Sequence, residues 1–231
     1  MNKNNIINTI FDLKLNCNVN YVFCIDITGD MNKSFDNICE FIENTCNKVK
    51  EVYNDFGRDI NTLNIKLVLY KDLEYDDNAI QESKFYNYYL EKEDLFKYLT
   101  EKSLINGELM YGGDLPESTL EALYVSMNSD WPNTDNKSVN KNTIVLFTNS
   151  EYKINDEKFK DMPNSVEELK NYWENNLKIR KSSKRIIIFG PEHIYSEFEE
   201  FYGTTVINKE NIFEFEDFDI VFTIKYAMSG L

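Results

Sequence analysis

Four short apolar runs constrain this chain most: Tyr21-Val-Phe-Cys-Ile25, Ile65-Lys-Leu-Val-Leu-Tyr70, Thr143-Ile-Val-Leu-Phe-Thr148 and Arg185-Ile-Ile-Ile-Phe189. Each has strand length. The first is almost unbroken, so it reads as a parallel strand covered on both faces. Helical stripes lie between the runs. Phe35, Ile38, Ile42, Cys46, Val49, Tyr53 and Phe56 recur three or four apart, which predicts a helix over about Asn32–Phe56 with Gly57 as its stop. Leu95, Phe96 and Leu99 mark a short helix, Glu93–Thr100. Leu120, Leu123, Tyr124 and Met127 form another stripe. Ser165-x-x-Glu168 caps a further helix, with Val166, Leu169, Trp173 and Leu177 inward. Ile194–Phe201 reads as a short helix and Thr205–Ile207 as a last strand. Asp217–Met228 reads as a closing helix, although Ile220–Ile224 is equally strand-like. Ala79–Tyr89 predicts an edge strand folded back on its predecessor.

Helices alternating with buried strands imply an α/β, doubly wound, mostly parallel sheet with one antiparallel edge strand and helices on both faces. Residues 1–19 are expected to be an N-terminal arm or edge strand, and 20–231 a single domain without a linker. At 42% hydrophobic and 28% charged, the 231 residues have ample material for one core.

Forty acids against 25 bases leave a formal charge of −15. That disfavours nucleic acid and anionic membranes as partners. The first residues have no basic head and no apolar run, so no secretory leader is expected, and the chain is expected to be cytoplasmic, with export by a route that reads no such signal as the alternative. Cysteines stand at 17, 24, 39 and 46. On one helix, Cys39 and Cys46 are about 10 Å apart along the axis, too far to bridge. All four are expected to be small core side chains in a reducing compartment. The 30 asparagines are taken as a bias of composition.

In an open parallel sheet, ligands bind beyond the carboxyl ends of the strands. Asp26-Ile-Thr28-Gly-Asp30 follows the first strand, Gly112-Gly113-Asp114 lies in a glycine-rich loop, and Asn149-Ser150 follows the Thr143 strand. Carboxylates, hydroxyls and an amide converging there suit a hard divalent cation, above all Mg²⁺. Asp114-Leu-Pro-Glu117 and Ser118-x-x-Glu121 also compete as caps for the next helix, so Asp114 has a purely structural reading beside the ligand one.

Cys24-Ile-Asp26-Ile-Thr28-Gly29-Asp30-Met31 resembles the metal-ion-dependent adhesion site of von Willebrand factor type A domains, Asp-x-Ser/Thr-x-Ser. The bacterial and alpha-kinase-associated subgroup is the most similar. Its glycines followed by Asp-x-Pro-Glu are matched by Gly112 to Glu117, and its Tyr-Arg-Asp by Tyr70-Lys71-Asp72. The resemblance runs from Tyr21 to about Met228. It implies that Asp26, Thr28, Asp30, Asp114 and Asn149 surround Mg²⁺, with Mn²⁺ or Ca²⁺ as alternatives. It also implies that a partner protein's acidic side chain completes the shell. Asp30 stands where the family has Ser, and Asn149 where it has Asp.

The negative surface would repel an acidic partner at long range, so the expected partner carries a basic rim around one acidic residue. The competing expectations are a structural subunit with a vestigial metal site and a Mg²⁺-dependent phosphotransfer or phosphatase enzyme. The enzyme is disfavoured: Thr28 stands where a dehalogenase-type phosphatase needs its second Asp, no phosphate-binding GxxxxGK[ST] occurs, and the lone His193 lacks a nucleophile partner.

Overall fold

The computed structural model describes residues 14–74, 78–105, 117–132, 138–154, 162–209 and 214–229, apart from the side chains of Asp30, Asn32 and residues 102–105. In chain order the strands are β1 (Leu15–Asp26), β2 (Arg58–Tyr70), β3 (Ile80–Glu82), β4 (Tyr86–Asn87), β5 (Val139–Phe147), β6 (Lys184–Gly190) and β7 (Thr204–Asn208). The helices are α1 (Asn32–Asp55), α2 (Tyr88–Ile105), α3 (Thr119–Met127), α4 (Val166–Asn175), α5 (Glu192–Tyr195) and α6 (Asp217–Met228). The strand order is β3-β2-β1-β5-β6-β7, with β4 also on β2. All pairings are parallel except those of β3 and β4, two short antiparallel pieces of the expected edge.

Alternation along β1 assigns the two cores. Cys17, Val19, Tyr21, Phe23 and Ile25 face α1, α2 and α6. Val22 and Cys24 face α3, α4 and the Tyr195–Phe201 segment. The α1 stripe is buried from Phe35 to Tyr53, but Phe56 is exposed because the helix closes there, with Gly57 at φ +67°. Leu177, expected inward, is also exposed, since α4 ends at Asn175. The Ser165 hydroxyl does cap α4, accepting from Glu168 N at 3.2 Å. Ser118 precedes α3, but its hydroxyl accepts from Leu73 N at 2.9 Å instead of capping the helix. The ambiguous closing segment is helical. Its start is fixed by a reciprocal cap between Glu216 and Asp219. All four cysteines are free, and three are buried.

β1 begins at Leu15, so residues 15–19, expected in an arm or edge strand, belong to the central strand. Polar alternation disguised them. Asn18 and Asn20 are fully buried and are the centres of two amide rows crossing the sheet. Asn64 Nδ2 donates to Asn20 Oδ1 at 2.8 Å, Asn20 Nδ2 to Asn142 Oδ1 at 2.7 Å, and Asn142 Nδ2 to Ser183 Oγ at 3.3 Å. One step lower, Asn61 Nδ2 donates to Asn18 Oδ1 at 2.9 Å, and Asn18 Nδ2 to Asn140 Oδ1 at 3.1 Å. Each amide supplies the next one's partner, so the rows fix the mutual register of β2, β1 and β5 where apolar side chains run out. These asparagines therefore have a structural role beyond compositional bias.

At the same pole, Arg58 Nη1 donates to Met228 O at 2.9 Å and Lys141 Nζ to Ser229 O at 2.8 Å. Arg185 Nε donates to Ser229 Oγ at 3.0 Å. Three cations thus hold the negative end of α6. Burial, then the neighbouring Arg58 and Arg185, lower the Lys141 ammonium to about 8.

Asn20→Ala leaves an Asn64 donor and an Asn142 acceptor unpaired. We expect a loss of about 2 kcal/mol in urea unfolding, against less than about 0.5 kcal/mol for the exposed Asn171→Ala. Equal losses would show that the amide rows contribute nothing special.

Candidate metal centre

β1 lies between β2 and β5. The chain leaves β1 through α1 towards β2 on one side, while β5 pairs on the other. The ends of β1 and β5 therefore flank the switch point of the sheet, where an open α/β fold has its crevice. Asp26 is the last residue of β1, paired with Tyr70, and is completely buried. Its Oδ1 accepts from Thr28 N at 2.9 Å and from Thr28 Oγ1 at 2.6 Å, a local Asx turn. Its Oδ2 accepts from Thr148 Oγ1 at 3.3 Å. Burial pushes the carboxyl up to about 6, although the hydrogen bonds from Thr28, Thr148 and Ser150 pull it back.

The β5 exit supplies the opposite wall. Thr148 N donates to Phe189 O at 3.1 Å, and Ser150 N to Thr148 Oγ1 at 3.3 Å. Gly190 permits this approach, because a Cβ there would stand 2.9 Å from Thr148 O. Asn149 is half-buried, and its Oδ1 accepts from Ser150 Oγ at 3.3 Å. Asp30 lies in the 3-10 turn Gly29–Met31, but its side chain is outside the described residues, as are Gly112, Gly113 and Asp114. The described residues from Glu117 onward do reach the rim. Glu117 N donates to Glu151 O at 2.9 Å and Lys153 N to Glu117 O at 2.8 Å, while Tyr70 Oη lies 3.1 Å from Thr119 Oγ1.

The sequence reading missed Thr148 as a partner of Asp26. Strand alternation offers the signal, since a residue one past Phe147 must face away from that phenylalanine's core. Asp72 proves fully buried, accepting from Glu74 N at 2.8 Å and pairing with Lys153 at 3.3 Å. Glu121 was expected as a capping residue. It is instead only 2% exposed, and its Oε2 has no hydrogen-bond partner. Burial first, then the charge of Asp72, raise it to about 7. His193 is exposed.

The donors gathered at Asp26 are one carboxylate and the hydroxyls of Thr28, Thr148 and Ser150. Hard oxygens of this kind fit Mg²⁺ or Ca²⁺ and not a soft ion. Among the described residues, no group of three or more His, Cys, Asp or Glu is placed to hold a metal. The same residues include no helix long and apolar enough to cross a membrane.

No protein-family model and no curated protein matches the sequence. Solved structures do. Proximal thread matrix protein 1 from the mussel byssus aligns over 93% of this chain and 48% of its own, at 10% identity and a TM-score of 0.54. The open conformation of the pilus adhesin SpaC from Lactobacillus rhamnosus GG aligns over 94% of this chain and 29% of its own, at 12% identity and 0.53. The minor pilin PilB from Streptococcus sanguinis aligns over 90% of this chain and 60% of its own, at 12% identity and 0.51. The chain thus spans less than two thirds of each of these proteins. Such likenesses establish the fold alone, a doubly wound, mostly parallel sheet.

Glu121 generates a prediction. Its folded pKa lies above the ordinary value, so its contribution to stability is whole below about pH 4.5 and is lost as pH rises through about 7. Glu121→Gln removes that loss. The variant should be more stable than wild type by about 2 kcal/mol at pH 8, with the difference closing towards pH 5 in paired urea titrations. A difference independent of pH would refute the assignment.

Proposed function

We propose that this chain is a protein-interaction module that presents a divalent cation, Mg²⁺ in the first place and Mn²⁺ or Ca²⁺ as alternatives, to an acidic side chain of another protein. The observation that carries the reading is a wholly buried carboxylate at the sheet's switch point, its two oxygens faced by hydroxyls from two different loops. Asp26, Thr28, Asp30, Asp114 and Asn149 are the proposed ligand set, with the Thr148 and Ser150 hydroxyls beside them. When bound, the cation offsets the buried negative charge and leaves a coordination position for a partner's oxygen. Asp26 supplies the anchoring charge, and Thr28 and Thr148 hold its carboxylate in one orientation.

Three of the similar structures are named as a pilus adhesin, a minor pilin and a thread matrix protein, which supports an adhesive role over a catalytic one. Four free cysteines support a reducing, cytoplasmic setting. A structural subunit with a vestigial site is the second reading. It is favoured by Asn149, whose amide contributes no charge to the rim.

Melting curves decide between the two. At 100 times its dissociation constant, Mg²⁺ stabilises a one-site protein by about 2.7 kcal/mol, or roughly 5 °C or more in a chain of this size. Wild type should show that rise over a chelated sample, and Asp26→Ala should show none. A partner captured from lysate should be released by chelator. Equal melting shifts in both proteins, or none in either, would leave only the scaffold.

A further inference from the structure

Beneath Asp26 lies a set of buried hydroxyls drawn from separate elements: Tyr70 ends β2, Thr119 begins α3, Thr148 follows β5, and Tyr195 ends α5. Tyr195 is where they meet. It is fully buried, and its hydroxyl donates to Ser150 O at 2.8 Å. The same oxygen lies 3.4 Å from Thr119 Oγ1 and 3.5 Å from Thr148 Oγ1. Thr119 in turn stands 3.1 Å from the Tyr70 hydroxyl. One phenolic group therefore touches the turn whose Thr148 hydrogen-bonds to Asp26 Oδ2 and the first residue of α3.

The ring is placed for this task. It packs against Tyr152 and Phe198, with centroids at 5.9 and 5.5 Å. A Cβ on Gly190 would come within 3.4 Å of the ring and 2.9 Å of Thr148 O. The phenol and the Thr148 turn thus share a space that a side chain at 190 would fill.

We propose that Tyr195 is a positioning residue for the cation site. Its hydroxyl fixes the Thr148–Ser150 turn and ties the start of α3 to it, which sets where the oxygen donors around Asp26 stand. The inference rests on the metal-binding reading above. Outer groups that orient a ligand shell typically change metal affinity by 10- to 100-fold when removed.

Tyr195→Phe deletes one oxygen and keeps the packed ring. Tyr53→Phe is the control, since its buried hydroxyl has no hydrogen-bond partner and it lies in the other core. We expect Tyr195→Phe to weaken Mg²⁺ binding, measured calorimetrically, about tenfold, and Tyr53→Phe to change it less than twofold. Amide hydrogen exchange in the metal-free protein should quicken at Thr148–Ser150 and Thr119 in the Tyr195 variant alone. Thr119→Val combined with Tyr195→Phe should weaken binding by less than the product of the two single effects, as expected of linked groups.

A lowered melting temperature with unchanged Mg²⁺ affinity would make Tyr195 an ordinary core residue and overturn the proposal. So would multiplicative effects in the double variant. Failure of the wild type itself to bind Mg²⁺ would remove the metal reading and this inference together, an outcome distinct from an unaltered affinity in the variant.

Discussion

A carboxylate taken wholly out of water must be answered by hydrogen bonds or by charge, and the upper half of this molecule is arranged around one such group. Asp26 is held there by β1, the central strand, with β2 and β5 paired along nearly its whole length. Thr28 answers one oxygen from the same turn, and Thr148 answers the other from across the switch point. These are neutral donors. They offset the burial only in part and leave the group with a pKa raised to about 6. On the proposed function, a hard cation bound there would offset that buried charge.

The opposite pole has the complementary character. Arg58, Lys141 and Arg185 come from β2, β5 and β6 and converge on the carbonyl and hydroxyl groups at the end of α6. In a chain of formal charge −15, three basic groups facing a helix terminus are a concentrated use of scarce positive charge. Each end of the sheet is thus closed by polar contacts, while the apolar cores occupy the middle.

The alternation of helices and buried strands was legible because burial on both faces leaves unbroken apolar runs, as in Tyr21–Ile25 and Arg185–Phe189. The lower half of β1 was not, because Asn16, Asn18 and Asn20 alternate like the outward face of an edge strand. Asn16 is indeed exposed, and only cross-strand partners far away in sequence make Asn18 and Asn20 interior. Asp26 and Thr28 were legible for a local reason, being two residues apart at a strand end. Thr148 was hidden by its neighbour: the resembled family has its acid at the position of Asn149, while the hydroxyl that reaches Asp26 stands one position earlier. Tyr195 and Tyr70 were hidden differently, since their rings serve the core and only the tips of the side chains are chemical. Asp114 and the Asp30 side chain lie outside the described residues, so their places in the ligand set remain part of the proposal.

On the proposed function, the acid that the resembled family has at the position of Asn149 is replaced by an amide while its Ser is replaced by Asp30, so the ligand set keeps its number of carboxylates. A held ion would attract a visiting carboxylate most strongly at contact. The surrounding acidic surface works against the same visitor at long range, where salt screens it within about 10 Å. Affinity would then be concentrated in the last few ångströms of approach, where one acidic side chain meets the ion and the rest of the partner must tolerate a negative rim. On the proposed function, a site of this kind selects its partner by the placement of a single carboxylate within a basic surround, and hardly by net charge at a distance.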